Sequence, residues 1–320
     1  MTTLLIGAIS LATVFLYGCI GEILMEKVGH LNLGIPGIMC LGTAGGCFGI
    51  SLYTGGLADP MQPAWILLIL SSIFFSILFS MLGGLIYAFL TVTLRCNQNI
   101  TGLALTTFGS GLTQFIMSNF VDKSNFYYAG KVISLGFVND ANAPDVLKIF
   151  FSHGFFVYFS VIIAIVCWFV LKHTRVGLHL RSIGENPGTA DAAGINIIGY
   201  KYVTILIGSA IAGLGGIFYV MDYLKGSWEN SSTIESFGWL AIALVIFTLW
   251  KPNISIIGSF VFGICYIVAY VLNLGSTQME IFKLLPYVVT VLVLILTSVK
   301  KNKNIQPPAA LGLSYVREDR

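Results

Sequence analysis

The sequence predicts an all-α, polytopic membrane protein, and three observations carry that expectation. Hydrophobic residues make up 56% of the chain and charged residues only 10%, against about 25% charged in soluble domains; mean hydropathy is +0.87. The charges cut the chain into apolar runs, 1–21, 31–58, 60–94, 96–121, 149–171, 202–221, 236–250, 252–279 and 284–299, which contain no Asp, Glu, Lys or Arg. A helix needs about 20 residues to cross the hydrocarbon core, so most runs can span it and none needs to be a barrel strand. Finally, if the polar segment 173–200 is placed inside and the runs alternate, twelve basic residues fall inside and five (Lys123, Lys131, Lys148, Lys225, Lys283) outside. That asymmetry predicts about nine transmembrane or re-entrant helices, with the N-terminus outside and the C-terminus cytoplasmic.

Taken in order, the first run has no Lys or Arg before Lys27 and lacks the basic n-region of a cleaved signal, so it is expected to be a retained helix. The second opens on Asn32-Leu-Gly-Ile-Pro-Gly37, and the run 236–250 has 15 residues, about 22 Å as a helix and short for a crossing. Both are poor spanning helices. Paired irregular segments point to a binding site near the midplane; equally, Pro36 and its glycines could serve close helix packing. The fourth run carries Asn97, Gln98, Asn99, Thr101, Thr106, Thr107, Ser110, Thr113 and Gln114 at spacings that place several on one helix face. Such a face either bonds neighbouring helices or lines a hydrated path for a hydroxyl-rich solute. Segment 122–148, with Asn125-Phe-Tyr-Tyr128 and Asn139–Pro144, is the largest outside piece and too short for a domain. Residues 1–300 form the expected transmembrane domain; 301–320, with Gln306-Pro-Pro308 and mixed charge, is expected to be a flexible, dispensable cytoplasmic tail.

Between two long apolar runs lies a polar island, Arg175 to Asn196, with Gly184-Glu185-Asn186 before Pro187 favouring a turn and the small residues Ala190 to Gly194 expected to start a short helix. Two readings stand for it: a plain connector, or a docking loop whose small residues let a partner approach closely.

Three stretches, Glu22 to Met39, Arg175 to Asn196 and Gly238 to Pro252, resemble, in this order, permease subunits of bacterial ABC importers of the ribose, branched-chain amino acid and nucleoside kind. Gly29-His-Leu-Asn-Leu-Gly-Ile35 and Met39 resemble the nucleoside branch, which usually carries Glu where Pro36 stands. The resemblance implies that the 173–200 loop couples to an ATPase through Gly184, Glu185, Asn186, Pro187, Ala190, Ala193 and Gly194. It further implies a second, related permease chain, an extracytoplasmic solute-binding lipoprotein, placement in the bacterial inner membrane, and two related groups of helices that residue matching does not reveal. Asn32, Asn99, Thr106 and Ser110 are the candidate substrate-path residues, since amides and hydroxyls suit a nucleoside, or, as the alternative, ribose or another simple sugar.

Absent motifs narrow the classes. No GxxxxGK[ST] occurs, so no cofactor is expected in this chain and ATP and Mg are expected on the partner ATPase. A stand-alone secondary transporter would place an acid or His in the membrane interior, whereas the charge-defined runs leave all 14 acids at helix ends or in loops. Neither a nucleophile elbow, a paired carboxylate nor an HExxH cluster suggests an enzyme. Cys19, Cys40, Cys47, Cys96, Cys167 and Cys265 show no CxxC, and His30, His153, His173 and His179 show no ligand spacing, so no metal site is expected. A net charge of +3 implies no nucleic-acid partner; the basic flanks suit anionic lipid.

Overall fold

In the computed structural model, which describes residues 2–138, 144–271, 278, 281–282, 284–300 and 306–315, every regular element is a helix. Asn139–Ala143 of the outside segment, Lys283, and the tail residues 301–305 and 316–320 lie outside the described residues.

The helices are α1 (Thr2–Lys27), α2 (Ile35–Gly55), α3 (Trp65–Ala88), α4 (Gln98–Asn119), α5 (Phe126–Ile133), α6 (Asp145–Phe151), α7 (Phe155–His173), α8 (Arg175–Glu185), α9 (Pro187–Ala192), α10 (Ile197–Phe218), α11 (Ser232–Phe247), α12 (Pro252–Val271) and α13 (Leu285–Lys300). Among the described residues, five segments are long and apolar enough to cross a bilayer: Thr2–Lys27, Ile35–Gly55, Trp65–Thr93, Phe155–His173 and Ile197–Tyr223. Shorter apolar helices lie in α11, α12 and α13. α4 has 22 residues and is set apart from the five by its polar content.

Small residues decide how the helices meet. Gly21 abuts Gly208 and Ala212, and Gly215 abuts Tyr17, so α1 and α10 are antiparallel; Gly45 meets Phe79 and Gly83 meets Leu41, so α2 and α3 are too. Gly84 meets Ser209 and Gly213 meets Ser80, which makes α3 antiparallel to α10, while Gly102 on Leu33 and Gly109 on Gly37 set α4 parallel to α2. Thus α1 and α3 run toward the α8–α9 end, and α2, α4 and α10 run away from it. α1, α2 and α10 form the buried centre: Phe15, Ile23, Ile38, Met39, Ile217 and Phe218 are among their fully enclosed side chains. α3 and α7 expose Ile66, Leu70, Phe74, Ile162, Val166 and Phe169, the apolar surface that a lipid-facing helix carries.

α3 and α10 both end in a single π-helical turn, Phe89–Thr93 and Tyr219–Tyr223. The two endings match bond for bond. Leu94 N–H donates to Phe89 O at 3.0 Å and Cys96 N–H to Leu90 O at 2.9 Å; Leu224 N–H donates to Tyr219 O at 2.9 Å and Gly226 N–H to Val220 O at 2.8 Å. Each closes on a left-handed basic residue, Arg95 (φ 57°) or Lys225 (φ 51°), costly for a non-Gly residue. Since the helices are antiparallel, the endings lie at opposite ends of the bundle, a local pair related as in an inverted repeat.

Several sequence expectations need correction. α1 continues past residue 21 to Lys27, so Glu22 and Glu26 are helical and buried at 0% and 2% exposure, and Asp222, in the second π turn, is also buried. Acids are therefore not confined to helix ends and loops. α2 is an unbroken helix with Pro36 in its first turn, where a missing N–H costs nothing. α11 begins at Ser232 rather than 236. In the polar island, Gly184 and Glu185 end α8 instead of forming a turn, and α9 starts at Pro187, earlier than Ala190, because Asn186 caps it. Residues 306–315, expected to be loose, are bonded to the α8–α9 end: Ala310 N–H donates to Gly184 O at 2.9 Å and Gly312 N–H to Gly29 O at 3.1 Å.

Candidate functional site

The α8–α9 face is built from caps. The Thr174 hydroxyl accepts from Gly177 N–H at 3.2 Å and starts α8; Gly177 abuts the backbone of Val170 and Leu171, folding α8 back against the end of α7. His179 Nδ1 and the Tyr200 hydroxyl, 2.8 Å apart, tie α8 to α10. The Asn186 side chain accepts from Thr189 N–H at 3.0 Å, and Pro187 opens α9 in the first-turn position it favours. The helix closes through Gly194 (φ 82°), whose N–H donates to Asp191 O at 2.9 Å while Ile195 N–H donates to Ala190 O at 3.1 Å. Glycine suits that left-handed position. Asn196 then caps α10, accepting from Gly199 N–H at 3.0 Å.

The seven residues singled out for coupling divide by burial. Glu185, Asn186, Ala193 and Gly194 are exposed and Pro187 is half-buried, whereas Gly184 and Ala190 are buried. Gly184 instead receives the C-terminal segment, and Ala190 faces inward as the seat of α9. With Thr189 and Ala192 also exposed, the outward surface of α9 is small and nearly uncharged, suited to close approach by a flat partner surface.

Behind this face lies a buried polar hub centred on residues 28–34. Asn32 N–H donates to Glu22 Oε1 at 2.8 Å; Leu31 N–H donates to Gln98 Oε1 at 2.8 Å; and the Tyr87 hydroxyl donates to Leu31 O at 2.8 Å. Thr106 donates to Leu33 O at 2.8 Å. The indole N–H of Trp250, itself left-handed at φ 56°, donates to Glu26. Gln98 also reaches Leu313 O at 3.5 Å, so α1, α3, α4, the α11–α12 corner and the C-terminal segment all hold one loop. The hub is not fully satisfied: Glu22 Oε2 and both His30 ring nitrogens are buried without a hydrogen bond. Burial, with the Lys201 ammonium nearby, holds the His30 imidazole well below its ordinary pKa, so it is neutral at pH 7.

The candidate path residues are only partly gathered. Asn32 is fully buried; its side chain accepts from Gly34 N–H at 2.9 Å and donates to the Met25 sulfur at 3.3 Å. Thr106 bonds the same segment, and Ser110 lies 3.0 Å from the Ser231 hydroxyl at the start of α11. Asn99 is exposed and joins none of these. On the α4 polar face Gln98, Thr106 and Ser110 bond neighbouring segments, whereas Asn99, Thr107 and Gln114 are exposed, and the two irregular segments marked in the sequence do meet, since Gly238 of α11 lies directly against Pro36. Sequence reasoning missed Glu22, Glu26 and Trp250. The i, i+4 spacing of the two acids was the available signal, but Trp250, 224 positions from Glu26, could not be assigned to them.

Comparison with known proteins places this geometry. Residues 4–294 match the family described as branched-chain amino acid transport system / permease component. A nucleoside ABC transporter permease of Lactococcus lactis is 31% identical, covering 96% of this chain and 94% of its own. A protein of Haloferax volcanii described as a glucose ABC transporter permease is 30% identical over 98% of both chains. A guanosine ABC transporter permease of Bacillus subtilis is 30% identical over 86% of this chain and 85% of its own.

Proposed function

Because the chain belongs to the branched-chain amino acid transport system permease family, we propose that it is the membrane-spanning, non-catalytic subunit of an ATP-driven ABC importer for nucleosides. The observation that carries this reading is the capped, small-residue surface of α9, joined through Gly184 and the C-terminal segment to the buried 28–34 hub. ATP and Mg belong to a separate cytoplasmic ATPase seated on Glu185, Asn186, Ala193 and Gly194. Its movement passes through α8 to the hub, which closes the bundle at that end, and solute crosses by alternating access. A second, related permease chain and an extracytoplasmic solute-binding lipoprotein complete the assembly. The buried acids Glu22, Glu26 and Asp222 would suit a stand-alone carrier; family membership weighs against that reading.

In this reading the protein lies in the bacterial inner membrane with about nine transmembrane or re-entrant helices, the α8–α9 end and the C-terminus cytoplasmic and the N-terminus outside. In a variant whose exposed Cys96 is replaced by Ser, a cysteine at Thr189 should react only with reagents that reach the cytoplasm, and one at Ser124 with impermeant reagents in intact cells. Labelling of the Thr189 position by the impermeant reagent would invert the topology.

Nucleoside is favoured over sugar as the solute because relatives described for nucleoside and for guanosine transport match over most of their length; the relative described for glucose keeps the sugar reading open as the alternative. The deciding measurement is uptake of labelled guanosine and inosine by the reconstituted complex in competition with ribose and glucose. Nucleosides in excess should abolish guanosine uptake and the sugars should not. Sugar uptake indifferent to excess nucleoside would assign the chain to the sugar class.

A further inference from the structure

At the coupling end, the π turn of α3, the left-handed Arg95 and the first turn of α10 border a cleft of about 360 Å³. Its polar lining is Thr91, Arg95, Asp191, Asn196, Lys201 and Tyr315. Lys201 is the unusual member. It is 5% exposed and makes no hydrogen bond or ion pair with any described residue, although a buried ammonium without a counter-charge is strongly disfavoured. Its neighbour His30 is neutral and supplies none. Lys201 is among the residues that line the cleft, which is the open space available to a counter-charge.

Two further features favour an anion there. The cleft includes the first turn of α10, a 22-residue helix, whose Ile197 and Ile198 N–H groups have no intrahelical acceptor and no acceptor among the described residues, the Asn196 side chain bonding Gly199 instead. Such N–H groups and the positive end of the helix dipole favour an anion. Arg95, exposed at the rim, adds a second cation with a bidentate fork. Among the described lining residues one group opposes, the Asp191 carboxylate. Its Oδ2 accepts from the Tyr315 hydroxyl at 2.9 Å, which dampens its charge toward the cleft, and two cations and a helix terminus outweigh it.

We propose that this cleft binds a phosphate group, with Lys201 as its central ligand, the α10 N-terminus beside it and Arg95 closing the rim. Phosphate matches the lining because a tetrahedral oxyanion can accept from backbone N–H, ammonium and guanidinium at once. The phosphate is either the diester of an anionic lipid headgroup at the membrane boundary or a soluble phosphate from the aqueous side. The site is separate from the solute path and does not depend on which solute is carried.

The test uses the intact, delipidated transporter complex and reads its melting temperature. One arm adds phosphatidylglycerol against phosphatidylcholine in mixed micelles; the other adds inorganic phosphate against chloride at equal ionic strength. Occupancy should raise the wild-type melting temperature by about 4 °C in one arm. Lys201→Gln should abolish that rise and Arg95→Gln should reduce it, while Arg175→Gln, an exposed cation outside the cleft, should keep it in full. A rise with phosphatidylglycerol alone identifies a lipid; a rise with inorganic phosphate identifies a soluble ligand. If neither probe acts, or the rise survives in Lys201→Gln, the proposal is wrong. Should Lys201→Gln fail to accumulate, Arg95→Gln decides, and an undiminished response in it overturns the site.

Discussion

Replacing Ala193 by Arg should reduce ATP-driven uptake by more than tenfold while the protein still inserts and purifies as a single species. Ala193 is exposed and lies just past the last turn of α9 with ordinary backbone angles, φ −81° and ψ 4°, so an Arg there strains nothing within the chain. Its effect falls on the partner. A long charged side chain forced into the centre of a packed contact costs roughly 2 kcal/mol or more, equal to about a 30-fold loss of docking. Co-purification of the ATPase and uptake should fall together, and the melting temperature of the isolated permease should not change. Asn186→Ala should act in the same direction but more weakly, since losing an N-cap costs about 1 kcal/mol. Wild-type uptake by Ala193→Arg would remove α9 as the docking element.

Gly42→Val should prevent accumulation of folded protein altogether. A Cβ at Gly42 would overlap the Cα, carbonyl carbon and oxygen of Gly213, so relief requires moving the backbone of α2 away from α10 at the centre of the bundle. Overpacking in a rigid core typically costs about 1–3 kcal/mol. This site lies at the upper end, since backbone has no alternative rotamer and close helix approach through small residues is the main attraction available between helices in lipid. Gly111→Ala is the matched control: nothing lies within 4 Å of its added methyl, and replacing a mid-helix glycine by alanine favours the helix by about 0.5–1 kcal/mol. Fluorescence-detected size exclusion should show no monodisperse peak for the first and a normal one for the second. A monodisperse, active Gly42→Val would mean that α2 and α10 lie farther apart than the structure places them.

The helical class was legible because apolar runs bounded by charges leave few other outcomes, and a short helix in the polar island was legible from its small residues, although these place its start at Ala190 rather than at Pro187, because Asn186 reads as part of a turn and not as the cap. The hub was not. Reading Glu22 as a boundary residue follows from the rule that charges end spans, and that rule fails when an acid finds buried donors, here Asn32 N–H for Glu22 and the Trp250 indole for Glu26, which only tertiary packing supplies. The same holds for α4: Thr106 and Ser110 could be placed on one face from spacing, but whether that face meets water or the Leu33 carbonyl is decided by Gly102 and Gly109, which bring α4 onto the α2 entry. Asn99, about two turns before Thr106, is exposed. The matched endings of α3 and α10 share an aromatic residue, an aliphatic one and a Leu-basic pair, Phe89-Leu90 with Leu94-Arg95 and Tyr219-Val220 with Leu224-Lys225; so sparse a pattern becomes visible only once the backbone aligns it.

Residues 308–313 clasp Gly184 and Gly29, two positions that are synthesised long before them. The loop that follows α1 and the helix that precedes α9 therefore wait unclasped while everything between is made, and this end of the bundle closes only once residue 312 has emerged.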